Sequence, residues 1–262
     1  MVLVFIIIFF SFGLIIGSFL NVVVCRINTK RSLSGRSACM SCENKLRWHE
    51  LIPLFSFFVL MGRCKTCKTK ISIQYPLVEI ASGIIFSALF FKFQNIFLTN
   101  TLIFSITYIY YAFMFSLLLV IATYDLKHKI IPDKLSFIFG ILAFIGLFLF
   151  RASLDFHPHV PSILEFLSGI LIALPFALLW LVSRGAWMGL GDPKLILGLS
   201  WLLGLGVALS GVVVAFWSGA IVGIFLIILK KDYEMKSEIP FAPYLVLGAF
   251  SAFVLDLHLF GI

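Results

Sequence analysis

The chain has 262 residues, of which 61% are hydrophobic and only 12% are charged, and its formal net charge is +8. A mean hydropathy of +1.12 excludes an ordinary soluble domain and indicates a protein that crosses a membrane several times.

Eight apolar segments follow one another along the chain. A membrane helix needs about 20 apolar residues, so the long run from 195 to 229 is divided near Gly204–Gly211. The sequence therefore predicts an all-α polytopic membrane protein with about eight transmembrane helices. Its parts are a first helix (1–24), a loop (25–76) and a seven-helix membrane domain (77–262). The segments cover 1–24, 77–93, 101–123, 135–150, 164–183, 195–209, 211–229 and 241–262.

The basic residues predict the side of the membrane that each loop faces. Ten of the twenty Lys and Arg residues lie in the loop 25–76, and only Lys92 and Arg151 fall on the opposite side. The positive-inside rule then places this loop in the cytoplasm. The net charge is explained by topology and by attraction to the lipid bilayer, so we predict no nucleic-acid partner. The other basic residues on the cytoplasmic side are Lys127, Lys129, Lys134, Arg184, Lys194, Lys230, Lys231 and Lys236.

Two C-x-x-C motifs lie in the cytoplasmic loop. Cys39 and Cys42 form the first motif, and Cys64 and Cys67 form the second. Each motif presents two thiolates to one ion, and the four together complete a tetrahedral zinc site. Two disulfides or a redox pair are the alternatives, but a reducing cytoplasm disfavours disulfides. We predict a structural zinc site that leaves no open position for catalysis.

Two aspartates are predicted at the same membrane face. Asp125 ends the third span and Asp192 opens the sixth. Two carboxylates in a partly dry site share a proton, so that one activates water while the other protonates the amide. This chemistry needs neither a covalent nucleophile nor a metal.

Helix capping offers a simpler interpretation of two carboxylates. Asp192 precedes Pro193 and suits the N-cap of a helix, and Asp133 has the same interpretation at the start of the fourth span. Asp125 lies near a helix C-terminus, where the macrodipole disfavours an anion, so helix stability does not explain it. If the dipoles at these helix ends determine which aspartate carries the shared proton, Asp192 is ionised and Asp125 is protonated in the resting enzyme.

Seven motifs occur in order along the chain, and together they resemble the type IV prepilin peptidase family. The resemblance implies that Asp125 and Asp192 are the catalytic aspartates and that the four cysteines bind zinc. It also implies cleavage of prepilins or pseudopilins at the cytoplasmic face of the bacterial inner membrane. Many members then N-methylate the new N-terminus with S-adenosylmethionine. The motifs are GSFLNVVVCRIN (17–28), the two C-x-x-C pairs, YPLVEIASG (75–83), YDLKHKIIPDKLS (124–136), MGLGDPKL (188–195) and IPFAPYLVLG (239–248).

Three residues depart from the usual family pattern. They are Pro193 after G-x-G-D, Gln74 before Y-P-L-V-E, and Ala242 where glycine is common. None of them is one of the two aspartates. The sequence contains no G-x-G-x-x-G motif, so nothing apart from the resemblance indicates a methyl-donor site.

Other functions use similar residues. The presenilin and signal peptide peptidase group also pairs Y-D with G-x-G-D, but it lacks the C-x-x-C loop, and its P-A-L motif is absent here. A proton-coupled transporter could use the carboxylates as a relay, but it would place them near the midplane, often with internal repeats. A zinc-anchored assembly factor would leave Asp125 unexplained.

Overall fold

The computed structural model describes residues 2–29, 35–150, 156–229 and 239–260, and these form nine α-helices. The described part of the chain contains isolated β-bridges but no β-strand, so the predicted all-α fold is confirmed. The helices are α1 (Val2–Arg26), α2 (Phe55–Val59), α3 (Gln74–Thr99), α4 (Thr101–His128), α5 (Asp133–Leu149), α6 (Ile163–Ser183), α7 (Gly191–Leu203), α8 (Leu205–Leu229) and α9 (Ala242–Val254).

Each of the eight predicted spans corresponds to one helix, and α2 is a short addition within the loop. Among the described helices, α1, α3, α4, α6 and α8 are long and apolar enough to cross a membrane. Helices α5, α7 and α9 are shorter, with 17, 13 and 13 residues. The chain breaks between α7 and α8 at Gly204, whose φ of 78° suits glycine. Six of the basic residues considered for the orientation lie outside the described residues, namely Lys30, Arg31, Arg151, Lys230, Lys231 and Lys236.

Residues Met1–Asn95 form one compact unit. In it, α1 and α3 approach closely because glycines line the contact. A Cβ atom at Gly13 would lie 2.7 Å from the backbone oxygen of Ser82, and one at Gly17 would lie 2.7 Å from the Cα of Glu79. Small residues of this kind let membrane helices pack backbone against backbone.

Residues Ile96–Ile262 form the second unit, which contains α4 to α9. Helices α4 and α9 are antiparallel: the Tyr111 and Phe253 rings stack at 4.9 Å, and Asp125 contacts Ala242 at the other end of the pair.

Helices α5 and α7 run parallel to each other, with Lys194 beside Asp133 at their starts and Gly198 against the Phe139 ring further along. The end of α4 and the starts of α5, α7 and α9 therefore meet in one region of this unit.

Helix α8 extends beyond the start of α9. A Cβ atom at Gly223 would lie 3.4 Å from the Ile239 side chain, which immediately precedes α9 in the chain. From Gly223, α8 continues to Leu229, a length of about 9 Å at about 1.5 Å per residue. The C-terminal end of α8 thus projects past the N-terminus of α9.

Candidate active site and metal site

Asp125 lies on α4 and is 4% exposed. Helix α4 continues past it to His128, and the left-handed residue Lys129 caps the helix by donating its N–H to the Asp125 carbonyl at 2.7 Å. The carboxylate itself accepts the backbone N–H of Ala242, with 3.2 Å between nitrogen and Oδ2. Asp125 therefore faces the N-terminus of α9 as well as the C-terminus of α4, and only the second can be inferred from the local sequence.

Asp192 is 8% exposed and is the second residue of α7. The N-cap position belongs to Leu190, so the N-cap interpretation of Asp192 is wrong. The Asp192 carboxylate accepts the backbone N–H of Gly189 and interacts electrostatically with Asp125. The structure therefore brings together the two carboxylates that the sequence singled out, from positions 67 residues apart in the chain.

The two glycines of the G-x-G-D motif have different surroundings. A Cβ atom at Gly191 would lie 2.7 Å from the Cβ of Ile131, in the link between α4 and α5, so no other residue fits there without movement. At Gly189 the nearest described atom would be Oδ2 of Asp192, at 3.8 Å. Gly191 is thus required by packing, whereas Gly189 leaves free space beside the carboxylate.

Asp133 forms an ion pair with Lys194. Asp133 is the first residue of α5. Pro132 occupies the N-cap position and makes no side-chain capping hydrogen bond, so the N-cap interpretation of Asp133 is also wrong. Its Oδ1 lies 2.6 Å from the Nζ of Lys194, which is two residues after Asp192. The two side chains of the pair are 44% (Lys194) and 76% (Asp133) exposed. The Lys194 ammonium is therefore directed to Asp133.

The four cysteines of the loop form a compact cluster. Their sulphur atoms all lie within 4.8 Å of one another, and those of Cys39 and Cys67 are 3.8 Å apart. Tetrahedral zinc with bonds of about 2.3 Å to sulphur would hold its ligands about 3.8 Å apart, so the cluster fits such an ion. The four residues can hold a metal ion, and all five cysteines of the chain are free of disulfides.

The two C-x-x-C motifs have the same local structure. In the first, the Cys39 N–H donates to the Asn44 carbonyl and the Glu43 N–H donates back to the Cys39 carbonyl. In the second, Cys64, Thr69 and Lys68 repeat this pattern. The fourth residue after each leading cysteine, Glu43 or Lys68, has a positive φ, which closes the turn.

Thr69 also supports the second motif through the sulphur of Cys67. The Cys67 Sγ lies 3.2 Å from the Thr69 Oγ1. Once ionised, the sulphur accepts from that hydroxyl and from the Thr69 N–H, and these bonds lower the pKa of Cys67 to about 6. A lowered thiol pKa favours the thiolate form that binds metal.

Glu79 is a buried carboxylate that the sequence analysis did not single out. It lies on α3, is 7% exposed, and its Oε2 accepts the backbone N–H of Leu54 at 2.8 Å. Leu54 has φ 59° and ψ −51°, and the Phe55 N–H donates to the Pro53 carbonyl at 2.6 Å. This is a γ-turn of the rare, strained kind. An acid within an apolar helix was the signal that could have identified Glu79.

These observations define a helical membrane protein with a buried carboxylate pair and a cluster of four cysteines that could hold a metal ion. Comparison with protein families identifies it further. The model described as "Type IV leader peptidase family" matches residues 112–228, and "Bacterial Peptidase A24 N-terminal domain" matches residues 11–93. The chain belongs to the type IV leader peptidase family, which confirms the resemblance drawn from its motifs, and it is an enzyme of the peptidase class.

Individual relatives agree with this family. The chain is 34% identical to the prepilin leader peptidase/N-methyltransferase of Myxococcus xanthus over 87% of this chain and 65% of the relative. It is 29% identical to the protein of the same name in Bacillus subtilis (94% of this chain, 93% of the relative) and 30% identical to that of Pseudomonas aeruginosa (92% and 87%). No solved structure matches the chain.

Proposed function

We propose that this protein is an intramembrane aspartic endopeptidase in which Asp125 and Asp192 carry out the cleavage of prepilin or pseudopilin leader peptides. The observation that supports this most directly is the meeting of two buried, electrostatically coupled carboxylates at the ends of α4 and α7. Family membership supports prepilins as substrates, because the relatives carry that activity in their names. It also favours this function over a presenilin-like protease or a proton-coupled transporter.

Hydrolysis at this pair needs one proton shared between two carboxylates. The ionised aspartate takes a proton from water as the water oxygen attacks the scissile carbonyl carbon, and the protonated aspartate polarises the carbonyl. When the tetrahedral species collapses, the amide nitrogen leaves with a proton from one carboxyl group. Burial strengthens these electrostatic interactions and limits the water that reaches the site.

We also propose that cleavage takes place at the cytoplasmic face of the bacterial inner membrane. The support is the distribution of Lys and Arg residues, of which ten lie in the loop that carries the four cysteines. A prepilin would enter as an apolar helix from the bilayer, with the bond to be cut at the depth of the aspartates. The free space beside Gly189 would allow an extended backbone to approach Asp192.

The metal site and the methyl-transfer activity complete the proposal. Cys39, Cys42, Cys64 and Cys67 would hold zinc, which would stabilise the loop and leave no position for substrate. The names of the relatives support N-methylation of the new N-terminus with S-adenosylmethionine as donor. The arrangement of Asp125 and Asp192 concerns bond cleavage, and no residue is assigned to the methyl donor.

One assay tests the proposal directly. Purified protein in detergent is incubated with a prepilin and labelled S-adenosylmethionine, and the substrate is analysed for leader loss and methyl incorporation in the same samples. We expect a mobility shift that disappears in Asp125→Asn and Asp192→Asn. Full cleavage by either variant would contradict the assignment of the aspartates.

A further inference from the structure

The N-terminus of α9 lies against the aspartate site. Ala242, the first residue of α9, is fully buried and donates its backbone N–H to the Oδ2 of Asp125 at 3.2 Å. The two residues are 117 positions apart in the chain, so tertiary packing creates this bond. A carboxylate that accepts a backbone N–H in a buried place makes one of the stronger protein hydrogen bonds.

The local sequence leaves this N–H free for Asp125. The first N–H groups of a helix have no partner within the helix. In α9, Tyr244 and Leu245 both donate to the Phe241 carbonyl, and Pro243 has no N–H to donate. Ala242 therefore carries the donor of the first turn that needs an external acceptor, and the Asp125 carboxylate provides it.

Packing between α8 and α9 fixes where this donor lies. Gly211 and Gly248 bring the two helices into backbone contact, and the Phe216 and Phe241 rings pack with their centroids 5.0 Å apart. Pro243 adds a fixed φ at the start of the helix. The N–H of Ala242 is thus held in position before any substrate binds.

We propose that the N-terminus of α9 is a third structural element of the aspartate site, and that the backbone N–H of Ala242 orients the Asp125 carboxylate and stabilises its ionised form. This inference rests on the proposed catalytic role of Asp125. Ala242 acts through Asp125 and is a positioning residue. The helix N-terminus adds a favourable field for an anion, which offsets the opposite effect of the α4 C-terminus.

The test removes the N–H without changing any side chain. Lactic acid incorporated at position 242 by nonsense suppression replaces the amide with an ester, so the donor is lost and the methyl group stays. A matched control places the hydroxy-acid analogue of tyrosine at position 244, which removes the bond to the Phe241 carbonyl in the same turn.

We expect the ester at 242 to lower kcat for prepilin cleavage about 10- to 100-fold, the scale of one hydrogen bond to a charged group. KM should change less than about twofold, because the substrate contacts remain. The acid limb of the activity profile should move to higher pH, because the ionised form of Asp125 loses a donor. The ester at 244 should keep kcat within about threefold and leave the acid limb in place.

The other charged or titratable groups near these helix ends are the same in all the variants, so they do not produce the expected difference. They are Tyr124, Lys127 and His128 on α4, Asp133 and Lys134 on α5, Asp192 and Lys194 on α7, and Tyr244 on α9.

An ester at 242 with normal kcat and an unchanged acid limb would overturn the inference, as would equal losses in both esters. Normal cleavage by Asp125→Asn would instead contradict the proposed function itself, independently of the result for the ester variants. Thermal unfolding of each purified variant shows that the comparison is made between folded proteins.

Discussion

Lys194 on α7 and Asp133 on α5 form an ion pair, with 2.6 Å between Nζ and Oδ1. The pair joins the starts of two parallel helices, two residues away from Asp192. Both side chains are more than 40% exposed, so solvent screening limits the contribution of the pair to about 0–1 kcal/mol.

We expect Asp133 to contribute much less to leader cleavage than Asp125 and Asp192 do. Asp125→Asn and Asp192→Asn should each lower leader cleavage at least about 100-fold, because an amide cannot accept and return the proton. Asp133→Asn should keep at least about half of the activity, because it removes only a partly exposed ion pair. Cleavage of a purified prepilin, with the amount of folded enzyme measured by gel filtration, gives the comparison. A dead Asp133→Asn variant that remains folded would show that the ion pair matters to catalysis.

The cysteine cluster predicts one zinc ion per chain. Replacing Cys64 or Cys67 with serine should release the metal and lower the melting temperature of the protein, because metal binding and folding of such a loop are coupled. Cys25→Ser is the matched control, since Cys25 lies on α1, outside the cluster. Metal analysis of freshly purified protein measures the stoichiometry, and its failure to find zinc would refute the assignment. Acidification should favour release, since protons compete with the metal for the thiolates.

The two glycines of G-x-G-D should respond differently to alanine. Gly191→Ala would force its Cβ to 2.7 Å from that of Ile131, so we expect a loss of about 1–3 kcal/mol in stability together with reduced cleavage. Gly189→Ala meets nothing closer than 3.8 Å among the described residues, so its melting temperature should stay close to that of the unmodified protein. Ile131→Gly should partly restore Gly191→Ala, because it removes the clashing atom. Equal melting temperatures for both alanine variants would argue against this packing.

Glu79 should stabilise the cysteine-containing loop through Leu54. Glu79→Ala leaves the Leu54 N–H without its acceptor, at a cost of about 1–3 kcal/mol, and should release a strained turn. Glu79→Gln keeps an acceptor oxygen and should be milder. The rate at which a chelator removes zinc from the full-length enzyme measures the effect, with faster release expected for Glu79→Ala than for Glu79→Gln. Identical rates in these two variants would contradict a role for the hydrogen bond.

Side-chain motifs made the aspartates and cysteines predictable. Asp125 and Asp192 stand out because a carboxylate at the end of an apolar span is costly, and the cysteines stand out because of their spacing. The cap interpretations of Asp133 and Asp192 failed for a different reason. A cap is judged from the next few residues, whereas the partner of Asp133 lies 61 positions away in the chain. Ala242 was beyond prediction because its contribution is a backbone N–H, which carries no sequence signal.

Hydropathy predicted the number of helices better than their lengths. The apolar segment 241–262 suggested a full span, but α9 ends at Val254 after 13 residues. Apolar composition continues through loops and turns, so it does not show where hydrogen bonding within a helix begins and ends. The starts of α7 and α9 make tertiary contacts, with Ile131 and Asp125 respectively, that hydropathy does not reveal.

The short helices have a consequence for the backbone at membrane depth. Helices α7 and α9, with 13 residues each, are about 20 Å long, whereas the hydrocarbon core of a bilayer is about 30 Å thick. Helix α8, with 25 residues, is about 37 Å long and has no such deficit. Most side chains of α7 and α9 are buried among described neighbours, so protein rather than lipid surrounds these short helices. Backbone beyond their ends can therefore lie at membrane depth, because it is buried in protein instead of being exposed to lipid.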